Sequence, residues 1–281
     1  VNAVPGAADV VAGSPGHETP DIETSSADYA RRFSGKAGRY LLDVQSRAVR
    51  EALADLPPGR ALDVGGGHGQ LVDVLTALGW SVTVQGSDAA CGQNLRELHG
   101  KQRCEFVLGR FDALPFENGS FDLVLAVRLL AHLENWEGAL REMCRIARST
   151  VVVDYASTAS LNALAPLMFG VKKSIEGNTR PFRSFAPKEL GAAFAANGFQ
   201  VTRAVKQFVL PMGLHRFAGA AAPLRMLEAL SRAAGITALI GSPVILRGDR
   251  DRSAAEEIPR SASGATRETS GALRAGRSSR P

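Results

Sequence analysis

ALDVGGGHGQL, residues 61–71, is the stretch on which the reading of this chain turns. An apolar run from Ala61 to Val64, interrupted only by Asp63, breaks into Gly65-Gly66-Gly67-His68-Gly69. Apolar residues then return at helical spacing through Leu71, Val74, Leu75 and Leu78. Such a pattern predicts a buried strand, a sharp glycine turn and an amphipathic helix opening against the turn. Glycines in the turn adopt positive φ without a Cβ clash and let a ligand lie against bare backbone at a helix N-terminus. A dinucleotide fingerprint, Gly-x-Gly-x-x-Gly, would need glycine at position 70, where Gln70 stands, which disfavours a nicotinamide oxidoreductase.

The sequel adds a second point. Residues 80–85, WSVTVQ, read as a second strand, and Asp88 follows just past its end. In an open parallel sheet the ligand crevice lies at the carboxyl ends of the strands, where an acid can accept from both hydroxyls of a ribose. The alternative for Asp88 is an N-cap on the following helix.

Glycines at 65, 67 and 69 with Asp63 ahead of them form an Asp-x-Gly-x-Gly-x-Gly pattern that resembles motif I of the class I S-adenosylmethionine-dependent methyltransferases. Leu114-Pro115-Phe116 with Gly119-Ser120-Phe121-Asp122-Leu123-Val124 is similar to the segment between the third and fourth strands of the methyltransferase type 11 (UbiE/UbiG-like) group. The resemblance covers about residues 27–248. It implies an α/β, Rossmann-like, seven-stranded, mostly parallel sheet with an antiparallel last strand, an N-terminal helical lid over 27–58 and an inserted substrate cap over about 156–185. It also implies S-adenosyl-L-methionine as cofactor and a small-molecule methyl acceptor. Asp63 would then order the amino-acid part of the cofactor, the backbones of Gly65, Gly67 and Gly69 would let it approach, and Asp88 would hold its ribose. One position departs from the pattern. The usual acid after the glycine of the third strand is Arg110 here, so Asp112 is the candidate carboxylate for adenine and Phe111 the candidate packing surface, with a loop-capping role for Asp112 as the alternative.

Composition bounds the rest. With 281 residues, 45% of them apolar, the chain can bury a full core and is most simply one domain with extensions. Residues 1–26 and 249–281 are rich in Gly, Ser, Ala and Pro and poor in large apolar residues, predicting disordered tails. Asp9, Glu18, Asp21 and Glu23 charge the first, and Arg260, Arg267, Arg274, Arg277 and Arg280 against Glu268 charge the end of the second. A net charge of +5 is too mild to argue for nucleic acid. Three scattered cysteines without metal-ligand spacing suit reduced thiols in the cytoplasm, and no run approaches a membrane span.

Before the core, Tyr29, Phe33, Tyr40, Leu41, Val44, Val49, Leu53 and Leu56 follow a helical period, with Gly35 and Gly38 predicting a joint between two short helices. By resemblance this segment lies over the cofactor, placing Tyr29 toward the acceptor and Arg32 or Arg39 on the methionine carboxylate, which a guanidinium matches bidentately. A surface-packed helix with solvated arginines is the alternative. Phe121–Val127 predicts a strand buried on both faces. At its end stand Arg128, able to neutralise an anionic substrate or pair with Asp112 or Glu134, and His132, either a general base for an acceptor hydroxyl or a brace of the strand-to-helix turn. Tyr155 and the cap residues Asn178, Arg180 and Arg183 are the candidate acceptor contacts, with plain solvation the alternative for the loop residues. Strands over 199–210 and 242–247, joined by a helical excursion over about 211–241, complete the sheet. The predicted activity is in-line methyl transfer to an oxygen, nitrogen or carbon nucleophile; the rival is a non-catalytic S-adenosylmethionine-binding module acting through partners.

Overall fold

The computed structural model describes residues 17–67, 69–99, 104–160 and 182–251. Parallel strands β1 (Arg60–Val64), β2 (Ser81–Gly86), β3 (Glu105–Leu108), β4 (Phe121–Ala126) and β5 (Ala147–Ser157) are followed by β6 (Ser184–Phe185), β7 (Phe199–Phe208) and β8 (Ser242–Arg250). The order across the sheet is β3-β2-β1-β4-β5-β8-β7, with the two-residue β6 paired to the end of β5. β8 runs antiparallel to both β5 and β7, so β7 again points the same way as β1–β5. The strand order reverses between β1 and β4, which opens a crevice at the carboxyl ends of those strands.

Period-2 alternation feeds two cores, one on each face of the sheet. Leu62, Val64, Val124, Ala126, Val151 and Val153 pack one way. Their chain neighbours Ala61, Leu123, Leu125 and Val152 pack the other. The first core is closed by α6 (Trp136–Ile146) and α7 (Pro187–Ala196), through Trp136, Leu140, Met143, Leu190 and Phe194. The second is closed by α3 (Gly35–Leu53) and α4 (Val72–Ala77), through Ala48, Val49, Ala52, Val72 and Leu75. Each fully buried leucine contributes about 1.5–3 kcal/mol, so a charge at Leu123 or Val124 would break the centre of the fold.

Three expectations are corrected. The N-terminal tail ends sooner than residue 26: residues 17–26 are ordered, with α1 at Pro20–Thr24, because Asp21 is buried against Ser87 rather than solvated. The helical joint lies at Phe33-Ser34, between α2 (Ala27–Arg32) and α3, with Gly35 opening α3 at φ +73° as expected and the Ser34 hydroxyl donating to the Arg31 carbonyl; Gly38 is no part of the joint and sits inside α3, where its missing side chain clears the Phe33 backbone. The body also reaches past residue 248, since β8 continues to Arg250, whose side chain donates to the carbonyls of Cys144 and Ala147. Of the expected cap, residues 161–181 lie outside the described residues, as do the tails at 1–16 and 252–281. The excursion contains α8 (Met212–Phe217), α9 (Ala222–Ala233) and α10 (Ile236–Ile240), and helix α5 (Ala89–His99) follows β2. Among the described residues no helix is long and apolar enough to cross a membrane.

Candidate active site

A cleft opens above the β1 turn, lined among others by Thr24, Tyr29, Gln45, Asp63, Gln70 and Arg128. Its floor is the predicted turn. Gly65 has φ +69°, a left-handed value that lets the chain leave β1 sharply, and its N–H donates to the Gln85 carbonyl at 2.9 Å. Gly66 has no side chain because a Cβ there would overlap the Asp63 carboxylate. Gly69 closes the turn by donating to the Gly66 carbonyl at 2.7 Å.

Asp63 is 2% exposed at the end of β1, and burial alone pushes its carboxyl up to about 7. No cation or donor among the described residues offsets that cost. A buried acid kept without a counter-charge on the wall of a cleft is suited to a cationic ligand group. Across the cleft, Arg128 takes φ +64°, a strained value for a residue with a Cβ. Its N–H donates to Asp154 Oδ1 at 2.6 Å, its guanidinium lies 4.0 Å from the Phe33 ring centroid, and one nitrogen donates to Gln70 Oε1 at 3.1 Å. Burial raises the Asp154 carboxyl to about 6, partly offset by that N–H and by the Arg128 charge. The partners proposed from sequence for Arg128, Asp112 and Glu134, are thus replaced by Gln70 and Asp154.

Residues 17–25 cross the strand ends. The Asp21 carboxylate accepts the Ser87 N–H at 2.8 Å and the Ser87 hydroxyl, Ser25 sits on Gly67, and the Glu18 carboxylate accepts the N–H groups of Glu134 and Asn135 at 2.6 and 3.0 Å. His17 Nε2 lies 3.2 Å from the Ser87 carbonyl. The bare backbone of Gly67 is therefore met by the chain's own serine.

The other predicted residues divide. Tyr29 lines the cleft, its ring 5.2 Å from Phe33. Asp88 accepts the Ala90 N–H at 2.8 Å, so the capping alternative is realised by one of its oxygens. Asp112 is held bidentately by Arg110 at 2.9 Å, which lowers its carboxyl below the usual range, and Phe111 is buried in the first core. His132 ends a 3-10 turn (Leu130–His132) with its ring 5.6 Å from Phe182, and is not among the residues lining the cleft. Tyr155 is a core residue, edge-on to Phe185, with its hydroxyl pKa raised by burial; it is no surface contact. Arg183 pairs with Glu189 and lies over the Trp136 and Phe185 rings, bracing the cap's return. Arg39 is exposed on α3. Asn178 and Arg180 lie outside the described residues, and of Arg32 only the backbone, in α2, is described.

Two cleft residues, Gln45 and Thr24, escape the sequence reading. Gln45 is signalled only by its place as the polar residue on the buried face of α3, between Val44 and Ala48. Thr24 and Asp21 belong to a helix announced by Thr19-Pro20-Asp21, a proline in the first turn followed by an acid.

Residues 62–153 match the family described as a methyltransferase domain. Norajmaline N-methyltransferase of Rauvolfia serpentina is 31% identical over 107 residues, 35% of this chain and 37% of that protein. Demethylmenaquinone methyltransferase of a Roseiflexus species is 37% identical over 111 residues, 38% of this chain and 46% of that one. The chain thus matches less than half the length of these curated relatives. A solved structure from Thermotoga maritima, described as a SAM-dependent methyltransferase and possible histamine N-methyltransferase, superposes with TM-score 0.58 at 18% identity over 82% of this chain and 99% of that one. Motif I, the β4 strand and most of β5 fall inside the matched residues; over that stretch the chain is similar to the methyltransferase-domain family, and its fold is the class I Rossmann-like one of the solved methyltransferase structures.

Proposed function

We propose that this chain binds S-adenosylmethionine in the cleft above β1 and transfers its methyl group to a small-molecule acceptor. The observation that carries the reading is Asp63, a buried carboxylate on the cleft wall without a counter-charge among the described residues, within a family-matched turn. The amino group of the cofactor supplies the missing cation. Bound there, S-adenosylmethionine offers an activated methyl on a sulfonium, ready for displacement by a nucleophile.

The residues present fit that group. Asp63 would take the ammonium, the backbone of Gly65 and Gly66 would line the cleft beside the methionine part, and the second oxygen of Asp88 would face a ribose hydroxyl. Because the donor is already activated, the protein's main work is to hold the acceptor in line and keep water out, which supplies a large share of the acceleration. Tyr29, Phe33 and Gln45 would wall the cleft, and Arg128 would orient the acceptor from the β4 end. His132, turned onto Phe182, would serve as base only after reorienting, so its loss should weaken transfer by less than about tenfold. Three free thiols, two of them buried, suit a reducing cytoplasmic setting.

The test is calorimetry of the purified chain with S-adenosylhomocysteine, followed by label transfer from methyl-tritiated cofactor to a small-molecule extract. Binding that vanishes in Asp63→Ala, with label appearing in a small product, is the expected result. Absence of binding to either form of the cofactor overturns the proposal, and binding without any labelled product would instead favour a non-catalytic module.

A further inference from the structure

The helical excursion between β7 and β8 is built inside out. In α9 the buried positions are Glu228 and Ser231, and in α10 the buried position is Thr237. The large apolar residues point to solvent: Met226 is 63% exposed, Leu227 46%, Leu230 59% and Leu239 73%, with Phe217 at the end of α8 93% exposed. Met226, Leu227 and Leu230 share one face of α9 by their i, i+3 and i+4 spacing. Glu228 holds the arrangement from below, its carboxylate accepting the N–H groups of Val209 and Leu210 at 3.0 and 2.9 Å and lying 3.1 Å from His215 Nε2. The apolar face is therefore a fixed feature, anchored through a buried polar cluster, and isolated apolar residues on an ordinary surface do not gather in this way.

Its charges have one sign. Between Met212 and Gly241 the charged residues are Arg216, Arg225, Arg232 and Glu228, and the single acid is the buried one. Arg225 lies over the Tyr40 ring and Arg232 donates to the Gln207 carbonyl, so both are held beside the apolar face. A self-complementary contact between two copies would bring this all-cationic rim against itself. The chain's own stretch from 161 to 181 is no better matched, since it carries Lys172, Lys173 and Arg180 against Glu176 alone. Neither a second copy nor that stretch complements the face in charge.

We propose that the excursion is a docking face for an anionic lipid bilayer, with Phe217, Met226, Leu227, Leu230 and Leu239 entering the headgroup boundary and the arginines meeting lipid phosphates. An apolar face rimmed by arginine is the composition that interfacial helices use. Its position favours the same reading. β7 is parallel to β1–β5, so α8 leaves it at the sheet rim that carries the cleft, and Arg216 shares the Phe33 ring with Arg128 of the cleft wall. Docking is independent of methyl transfer, and its test needs no activity.

The experiment is co-sedimentation of the full chain with phosphatidylcholine vesicles, with and without phosphatidylglycerol. Phe217→Trp supplies a local reporter, because the native Trp80 and Trp136 are both buried. Expected are salt-sensitive binding to the anionic vesicles, a blue shift of the new tryptophan's emission on binding, and a roughly tenfold weakening for each of Leu227→Ser and Leu230→Ser, the loss expected for removing one leucine from an apolar boundary. Both serines replace exposed side chains, so the thermal melt should not move. Binding that survives both serine changes without an emission shift would assign attraction to basic residues elsewhere and overturn the proposal. A vesicle-free dimer dispersed by Leu230→Ser, or a monomer that ignores both vesicle types, would overturn it equally.

Discussion

The Asp21 carboxylate accepts the Ser87 backbone N–H at 2.8 Å, tying the segment before the core to the end of β2. Ser87 directly precedes Asp88, so this contact sets the chain at the point where the proposed ribose acid begins. Asp21 is 1% exposed, and its second oxygen takes the Ser87 hydroxyl. Asp21→Ala would leave a buried N–H and a hydroxyl without their acceptor, a cost of about 1–3 kcal/mol. Urea denaturation should register that loss, and hydrogen exchange at Ser87 should quicken in the variant. An unchanged midpoint and unchanged exchange would mean that residues 17–25 are not held as described.

Gly67 offers a sharper test of the same packing. A Cβ at this position would overlap Ser25 Oγ, so Gly67→Ala forces α1 away from the turn. The expected penalty is about 1–3 kcal/mol, in the range for overpacking. Ser25→Gly in the same chain should return more than half of it, because the obstructing atom is gone. A double-mutant cycle by chemical denaturation reads the coupling directly. Additive losses would separate the two residues.

The difference between what can be read from the sequence and what cannot has a local physical cause at each residue. Gly65 and Asp63 are legible because a strand that must turn at once into a helix leaves a pattern in consecutive positions. The sheet follows from alternating apolar runs, and β4 and β5 carry that alternation into two separate cores. Tyr155 is misplaced by the sequence because a strand end can point to the rim or into the core, and only the packing of Phe185 decides between them. Asp112 looks like a ligand when its neighbour Arg110 is treated as a departure from the family pattern, whereas the two form one ion pair. Composition gives residues 17–25 to the tail, although the anchoring partners, Ser87, Gly67 and Asn135, lie far along the sequence and leave no mark near them.

Glu228 and His215 make a buried pair beneath the excursion, 3.1 Å apart. Burial pushes the Glu228 carboxyl up, but the His215 contact and the N–H groups of Val209 and Leu210 outweigh it, and the net shift is downward from 4.5. A depressed folded value means that this stabilisation is complete above the unfolded value and is lost as pH falls through the folded one, below about 4.5. Glu228→Ala strands two backbone donors and the imidazole, and should cost about 2–4 kcal/mol at neutral pH. Thermal melts across about pH 3 to about pH 7, which brackets the acidic transition, should show the wild-type advantage shrinking at the acid end. An advantage constant over the whole range would sink the assignment.

Asp63 predicts the opposite slope. Its folded value is raised from 3.8 to about 7, and that of Asp154 from 3.8 to about 6, in both cases first by burial. Between the unfolded and folded values the native chain keeps a proton that the unfolded chain has released, so stability falls as pH rises through that window. Both residues contribute between about pH 4 and 6, and Asp63 alone between about 6 and 7. Asp63→Asn should therefore flatten the upper part of the window and make the ligand-free chain more stable at about pH 8 by on the order of 2–4 kcal/mol. The same change should abolish cofactor binding, since the amide offers no charge to an ammonium. On the proposed binding mode the cofactor holds Asp63 ionised, so binding at about pH 6 must expel a proton. Calorimetry in two buffers of different protonation enthalpy measures that release. Uptake of a proton, or none, together with a stability profile that Asp63→Asn leaves unchanged, would show that the buried acid is not the cofactor's counter-charge.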